Sequence, residues 1–139
     1  MEPLERITDR VSRNGNVNYP TCPRPLLTLA EFFEGNNVVG SIGCNLTPTP
    51  DPSKFYEILS RIAARREVGD IRIQITHFDS EWPFSDTVWI ITNAEPEEVV
   101  SWFDESVRPN DCGVGWTKGE LFEPCAVPPG MKPVACCWD

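Results

Sequence analysis

The only histidine of the chain stands at the head of a short run of side chains that could bind a metal ion. His77, Asp79 and Glu81 occupy alternate positions. In an extended segment alternate side chains point to the same side, so one imidazole and two carboxylates could meet there. That donor set could hold a divalent ion with open coordination positions. His77 also falls on the same side of the predicted strand as the apolar residues that precede it. This pattern favours instead a position at the end of that strand, on the face that packs in the core.

Other catalytic patterns have little support in the sequence. Ser41 lies between glycines, but it lacks the spacing of a nucleophile elbow and falls inside a predicted strand. The glycine-rich residues 113–119 lack the order of a phosphate-binding loop. The six cysteines contain no C-x-x-C pair, so we interpret them as reduced structural residues. We therefore expect no cofactor, and the sequence favours a protein that is not an enzyme while leaving the question open.

Residues 79–86, at the tip of a predicted hairpin whose loop is residues 78–85, bring aromatic and acidic side chains together. Trp82 and Phe84 stand between Glu81 and Asp86. Aromatic residues that are exposed and ringed by acids are typical of a hot spot for a basic protein partner. We interpret these four residues as a partner-binding site, and the alternative is that the aromatic rings fold back over the end of the sheet.

Negative charge is concentrated in the second half of the chain, whose formal net charge is −9. Residues 1–78 contain as many acids as bases, and residues 124–139 also sum to zero. Residues 79–123, here called the acidic lobe, contain eleven acids against Arg108 and Lys118. Such a lobe repels nucleic acid and anionic lipid, so we expect neither as a partner. A basic protein partner is favoured, because the negative electrostatic field of the lobe would raise its association rate.

Hydrophobic periodicity predicts the elements that must position these residues. Residues 28–31 have the form of a capping box that begins a short helix. Apolar residues at helical spacing predict a second helix over residues 52–66. Alternation predicts strands, and another helix follows the third of them. The predicted strands are 38–46, 71–77, 86–92 and 133–138, and the last helix is 94–103.

The order of these elements from residue 38 onward is strand, helix, strand, strand, helix, strand. This order predicts an α+β, ferredoxin-like βαββαβ sandwich, in which two helices cover one face of a four-stranded antiparallel sheet. A simple meander of the same strands is the alternative. The length of 139 residues indicates one domain. Within it we expect residues 1–25 to form a surface arm and residues 26–139 to form the core, with one short extra helix.

One face of the predicted sheet carries no helix and is a second candidate site. Trp89 would lie on that face beside the small residues of the first strand, together with Ser41 and Asn45. Residues 1–35 could cover the face, a second copy could pair with it as a homodimer, or a small ligand could bind there. All three alternatives stay open at this point.

No apolar run approaches the roughly 18–20 residues of a membrane span, so we expect no membrane association. The N-terminal residues lack the order of a signal peptide, so we expect a cytoplasmic protein. The leading hypothesis is a non-enzymatic interaction module, of regulatory or toxin-neutralising type, whose acidic lobe contacts a basic protein. The alternative is a small-ligand-binding or catalytic domain that uses the sheet face around Trp89.

Overall fold

Helices and one sheet make up a mixed α+β fold in residues 1–116 and 121–139, which the computed structural model describes. This part of the chain contains four α-helices and five strands, and a 3-10 turn spans Glu105–Val107. None of the described helices combines the length and apolar character that crossing a bilayer requires. The helices are α1 (Pro3–Val11), α2 (Leu29–Phe33), α3 (Pro52–Ala63) and α4 (Pro96–Ser101). The strands are β1 (Leu26–Leu27), β2 (Val68–Gln74), β3 (Thr87–Thr92), β4 (Asp111–Val114) and β5 (Lys132–Cys137).

The sheet is antiparallel throughout and has the strand order β1-β2-β3-β5-β4. Across its centre Ile73 stands opposite Val88, which in turn stands opposite Cys136. Because side chains alternate along a strand, this row faces one side and the next row, which contains Trp89, faces the other. We call the first side the helix face, because the apolar stripe of α3 packs on it, and the second side the loop face.

The elements with the strongest local signals form where the sequence predicts them. Thr28 and Glu31 make both hydrogen bonds of a capping box at the start of α2. Helix α3 begins at Pro52, and its apolar stripe is buried in the core. The predicted strands 71–77, 86–92 and 133–138 correspond to β2, β3 and β5, with ends shifted by up to three residues. These predictions are confirmed, as is the α+β class.

The strand predicted over residues 38–46 is wrong. This segment consists of turns, and Ile42 makes only an isolated bridge to Ser85. Gly40 and Gly43 have φ angles of +95° and +70°, which reverse the chain direction twice within four residues. Regular β-strand pairing cannot continue through such a segment. The apolar side chain of Ile42 in this segment is nevertheless buried in the core.

The four-stranded ferredoxin-like sheet is not confirmed. From β1 to β3, neighbouring strands of the sheet also follow one another in the chain, as in the alternative meander. The meander ends there, because β5 and not β4 lies next to β3. Both edge strands, β1 and β4, come from segments for which the sequence analysis predicts no strand. Residues 1–25 are not a mere surface arm, because α1 buries Ile7 and Val11 and the following turn buries Val17.

Replacing Gly43 by alanine should destabilise the fold more than the same change at Gly40. Both positions have positive φ, so each variant carries about 1 kcal/mol of backbone strain. A Cβ atom at Gly43 would also overlap the buried ring of Phe55, whereas a Cβ at Gly40 has room. We expect a further loss of about 1–3 kcal/mol for Gly43→Ala, measured by urea denaturation. Equal losses in the two variants would contradict this packing.

Candidate functional site

The three residues of the predicted metal site are not brought together. His77 Nε2 lies 3.0 Å from Asp79 Oδ2, and both side chains are exposed. Strand β2 ends at Gln74, and the chain then bends, so the alternation that would align Glu81 with this pair is lost. Within residues 1–116 and 121–139, no group of three His, Cys, Asp or Glu side chains has an arrangement that could hold a metal ion.

Trp82, which the sequence analysis placed at an exposed hot spot, belongs to the core. Its side chain is only 8% exposed, and its Nε1 donates a hydrogen bond to the carbonyl oxygen of Phe32 at 2.9 Å. Phe84 is half-buried, and its backbone pairs with that of His77. The aromatic residues thus fold back over the end of the sheet, which was the alternative interpretation.

The two acids of the same predicted hot spot have different environments. Glu81 is exposed to solvent. Asp86 is half-buried, and its Oδ1 accepts hydrogen bonds from the hydroxyls of Thr76 at 2.8 Å and Thr87 at 3.0 Å. The four predicted partner-binding residues therefore do not form one exposed surface.

The loop face around Trp89 is covered, although not by the residues expected to cover it. Trp89 is 1% exposed, and its ring centroid lies 4.3 Å from that of Trp116 and 5.7 Å from that of Phe122. Its Nε1 donates to Gln74 Oε1 at 2.7 Å. The cover comes mainly from residues that follow β4, with Arg24 bridging to Phe122. This cover leaves no open aromatic shelf at Trp89 for a ligand or for a second copy of the chain.

The other residues of the alternative ligand site lie elsewhere. Ser41 is buried and its Oγ accepts a hydrogen bond from Asn36 Nδ2 at 3.0 Å. Asn45 is exposed and donates to Asn110 Oδ1 at 2.7 Å. Because residues 38–46 form turns rather than a strand, they do not line the sheet face that carries Trp89. The glycine-rich run that begins at Gly113 continues into residues 117–119, which lie outside the described residues.

Open clefts line the surface near the first turns of α3. One has a volume of about 570 Å³ and lies between residues 46–51, α3 and the 3-10 turn. Its lysine, Lys54, is already paired with Asp104 at 3.0 Å. A second cleft of about 460 Å³ lies between α2 and α3 and is lined by Phe33 and Tyr56. Neither cleft brings together a set of side chains typical of catalysis.

A buried ion pair neutralises one acid of the acidic lobe. Arg10 donates to both carboxylate oxygens of Glu123, at 2.9 and 2.8 Å, and its Nε donates to Glu31 Oε2 at 2.9 Å. The backbone N–H of Leu26 also donates to Glu123, at 2.9 Å. The side chains of Arg10 and Glu123 are 11% and 10% exposed. These contacts were missed by sequence reasoning, because 113 positions separate the two residues.

The network around this pair shifts both ionisation equilibria. The hydrogen bond with Glu123 raises the pKa of Arg10, although burial opposes the change. Burial alone would raise the pKa of Glu123, but the hydrogen bonds from Arg10 and from the Leu26 N–H outweigh it and lower that pKa. Both groups are therefore held in their charged forms.

Two further acids of the acidic lobe are paired with lysines. Glu95 Oε1 lies 3.0 Å from the ammonium group of Lys132. The hydrogen bond from Lys54 lowers the pKa of Asp104. Bases from the two neutral segments, Lys54 and Lys132, thus fold against the acidic lobe and neutralise part of its charge.

Four exposed acids follow one another along α4, the 3-10 turn and the start of β4. They make no ion pair with any residue that the structure describes, and Glu120 lies outside that part of the chain. Helix α4 packs against β4, so these acids lie in one part of the molecule, although alternation directs the side chain of Asp111, opposite Cys137, to the loop face. We call this region the α4 surface; its acids are Glu97, Glu98, Glu105 and Asp111.

Fold and site together define a mixed α+β protein with one antiparallel sheet, a covered loop face and an acidic surface beside its outer strand β4. Over residues 2–136 the chain matches the model of the family described as "Uncharacterized protein YfbO family", and it belongs to that family. It is similar to "Uncharacterized protein YfbO" of Escherichia coli (strain K12), with 48% identity over 140 residues that cover the whole of both chains. No solved structure matches it significantly.

Trp82→Ala should destabilise the protein by about 3–5 kcal/mol, because it removes a buried ring and leaves the carbonyl of Phe32 without its donor. The matched control is Glu81→Ala, a change at an exposed neighbour that should stay within about 0.5 kcal/mol of the wild type. Chemical denaturation measures both variants. A Trp82→Ala variant as stable as the control would restore the interpretation of an exposed tip.

Glu123→Gln should destabilise the protein by about 2 kcal/mol near neutral pH, because it leaves Arg10 with only the more exposed carboxylate of Glu31 as a counter-charge. The pKa of Glu123 is lowered in the folded state, so its contribution is present above the unfolded-state pKa of about 4.3. That contribution disappears as the pH falls through the lower, folded-state pKa. The free energy of unfolding should therefore fall less steeply with acid in the variant than in the wild type.

Urea denaturation between neutral and acidic pH measures this difference. Glu97→Gln changes the charge equally at an exposed site and should leave the pH dependence of the wild type intact. Wild-type and Glu123→Gln curves that remain parallel down to the lowest pH would contradict the assigned role of Glu123.

Proposed function

We propose that this protein is a protein-interaction module and that its α4 surface contacts a basic protein partner. The supporting observation is that Glu97, Glu98, Glu105 and Asp111 remain exposed, with no ion pair to the described part of the chain. By contrast, Glu95, Asp104 and Glu123 of the acidic lobe are paired with Lys132, Lys54 and Arg10. Carboxylates left without an internal counter-charge are available to an external one.

The helix and turn that carry these carboxylates are anchored in the core. Val99 on α4, Phe103 after it and Val107 in the 3-10 turn are all buried in the same apolar cluster as the helix face of the sheet. A partner that binds this surface would therefore not have to order the backbone that displays the charges. Less ordering on binding leaves more of the interaction energy for affinity.

The outer edge of the sheet lies next to these charges, and its backbone groups could add hydrogen bonds to the electrostatic attraction of a partner. The bond from the Gly115 N–H to the carbonyl of Pro133 continues the register of β4 with β5. The backbone groups of the odd-numbered residues of β4 therefore form hydrogen bonds with β5, and those of Cys112 and Val114 point away from it. An extended segment of a partner could pair with such an edge. We therefore propose that the partner presents an extended, basic segment.

Electrostatic complementarity of this kind affects association rates and partner choice more than it affects total affinity. It also suits the regulatory or toxin-neutralising role expected from the sequence. A protein that binds nucleic acid has a basic surface, and an acidic module can occupy that surface in competition with phosphate. The cytoplasm is the compartment that we propose for this role.

The charge-reversal variant Glu97→Lys/Glu98→Lys tests this proposal. Its matched control is Glu2→Lys/Glu5→Lys, which changes the net charge equally at exposed acids in and beside the first turn of α1. We expect the wild type and the control to bind a fluorescent lysine-rich peptide at low salt, with affinity that falls as salt rises. The α4 variant should bind about tenfold more weakly, equivalent to about 1.4 kcal/mol.

Fluorescence anisotropy with the peptide gives the affinities, and capture of basic proteins from native lysate with the same three proteins extends the comparison. Equal weakening in the two charge-reversal variants would show that net charge, and not the α4 surface, attracts the peptide. That result, or affinity independent of salt, would refute the proposal.

A further inference from the structure

Two cysteines from neighbouring strands meet on the helix face of the sheet. Cys112 of β4 stands opposite Cys136 of β5, and their Sγ atoms lie 3.2 Å apart. Both are free thiols. A disulfide bond needs an S–S distance of about 2.0 Å, so the two sulfur atoms are separated by only about 1 Å more than a covalent bond allows.

The backbone already provides the spacing that a disulfide requires. Because Gly115 and Pro133 form a hydrogen-bonded pair in the same register, alternation makes Cys112 and Cys136 a non-hydrogen-bonded pair. The Cα atoms of such pairs are about 4.5 Å apart, and disulfides span Cα distances of about 4.4–6.8 Å. Bond formation therefore needs side-chain rotation and no change of strand register.

The two thiols differ in accessibility and acidity in a way that assigns each a role. Cys112 lies on the outer strand and is half-buried, whereas Cys136 is fully buried. The hydrogen bond with Cys136 lowers the pKa of Cys112, while that same hydrogen bond and burial raise the pKa of Cys136. The thiolate is the attacking species in disulfide exchange, so Cys112 is suited to react first.

We propose that Cys112 and Cys136 form an intrachain disulfide by exchange with a disulfide of a small thiol, such as oxidised glutathione. The Cys112 thiolate attacks one sulfur of the small disulfide, which forms a mixed disulfide and releases one small thiolate. Cys136 loses its proton and attacks Cys112 Sγ, which releases the second small thiolate. In total two protein thiols are oxidised, one small disulfide is reduced to two thiols, and the protons pass to the released thiolates.

The neighbouring cysteines provide internal controls. Cys137 follows Cys136 directly, but alternation places it on the loop face, where its Sγ lies 3.8 Å from the Thr87 hydroxyl. Burial raises the pKa of Cys137 and also that of Cys125. Cys44 is exposed in the turn segment. The proposal therefore predicts one specific bond out of the many that six cysteines could form.

The test exposes the reduced, full-length protein to mixtures of reduced and oxidised glutathione, followed by alkylation of free thiols. Cleavage after Glu105 and Glu120 separates residues 106–120, which contain Cys112, from a C-terminal peptide that contains Cys125, Cys136 and Cys137, and fragmentation of the linked peptides identifies the bonded cysteine. Mass spectrometry should find these two peptides joined, with a mass lower by two hydrogens than that of the reduced pair. Cys137→Ser should give the same link, whereas Cys112→Ser should abolish it.

Thermal unfolding provides a second readout, and it requires no substitution of the buried Cys136. Oxidation should raise the melting temperature of the wild type and of Cys137→Ser by about 10 °C, because it closes a long loop in the unfolded chain. Cys112→Ser should show no such rise. A glutathione adduct on Cys112 that never resolves, a link to Cys125 or Cys137 instead, or an unchanged melting temperature after oxidation would each overturn the proposal.

Discussion

A single, largely buried carboxylate connects α1, α2 and the edge strand β1. Glu123 accepts hydrogen bonds from Arg10 of α1 and from the backbone of Leu26 in β1, and Arg10 in turn reaches Glu31 of α2. Burying charges has a large desolvation cost, which is offset only when every polar atom of the network finds its partner. The network is therefore stable in one arrangement, and that arrangement determines where α1 and the segment after β4 lie.

The position of Glu123 also decides what becomes of the loop face. Phe122 precedes it directly, so anchoring Glu123 on α1 holds Phe122 against Trp89, beside Trp116. Trp89, which would otherwise be exposed on the loop face as a binding surface, is therefore the centre of a second, smaller apolar cluster. The consequence for function is that the exposed chemistry shifts from the sheet face to the α4 surface, where the carboxylates have no such internal partners within the described residues.

Sequence reasoning succeeded where the signal is local and failed where structure depends on distant pairing. The stripe of α3, the capping box at Thr28 and the alternation of β2 are each encoded within a few residues. Strand β4 has no alternating pattern and exists because β5 pairs with it. Residues 38–46 alternate in the sequence, but two glycines with positive φ turn the chain. The metal trio and the aromatic tip were predicted as extended or exposed segments, and the bend after β2 removed both conditions. The ion pairs that neutralise part of the acidic lobe join segments that sequence counting treats as independent.

The α4 surface and the thiol pair are neighbours at strand β4 and oppose each other electrostatically. Asp111 belongs to the α4 surface and precedes Cys112, so its negative charge disfavours the Cys112 thiolate. The hydrogen bond with Cys136 outweighs this effect and burial, and the net result is a lowered pKa of Cys112. Carboxylates that would attract a basic protein also repel anionic small disulfides, which slows their approach to Cys112. A bound basic partner would neutralise these carboxylates and remove that repulsion, so occupancy of the α4 surface and oxidation of the thiol pair would be coupled through one electrostatic field unless the partner itself covers the sulfur.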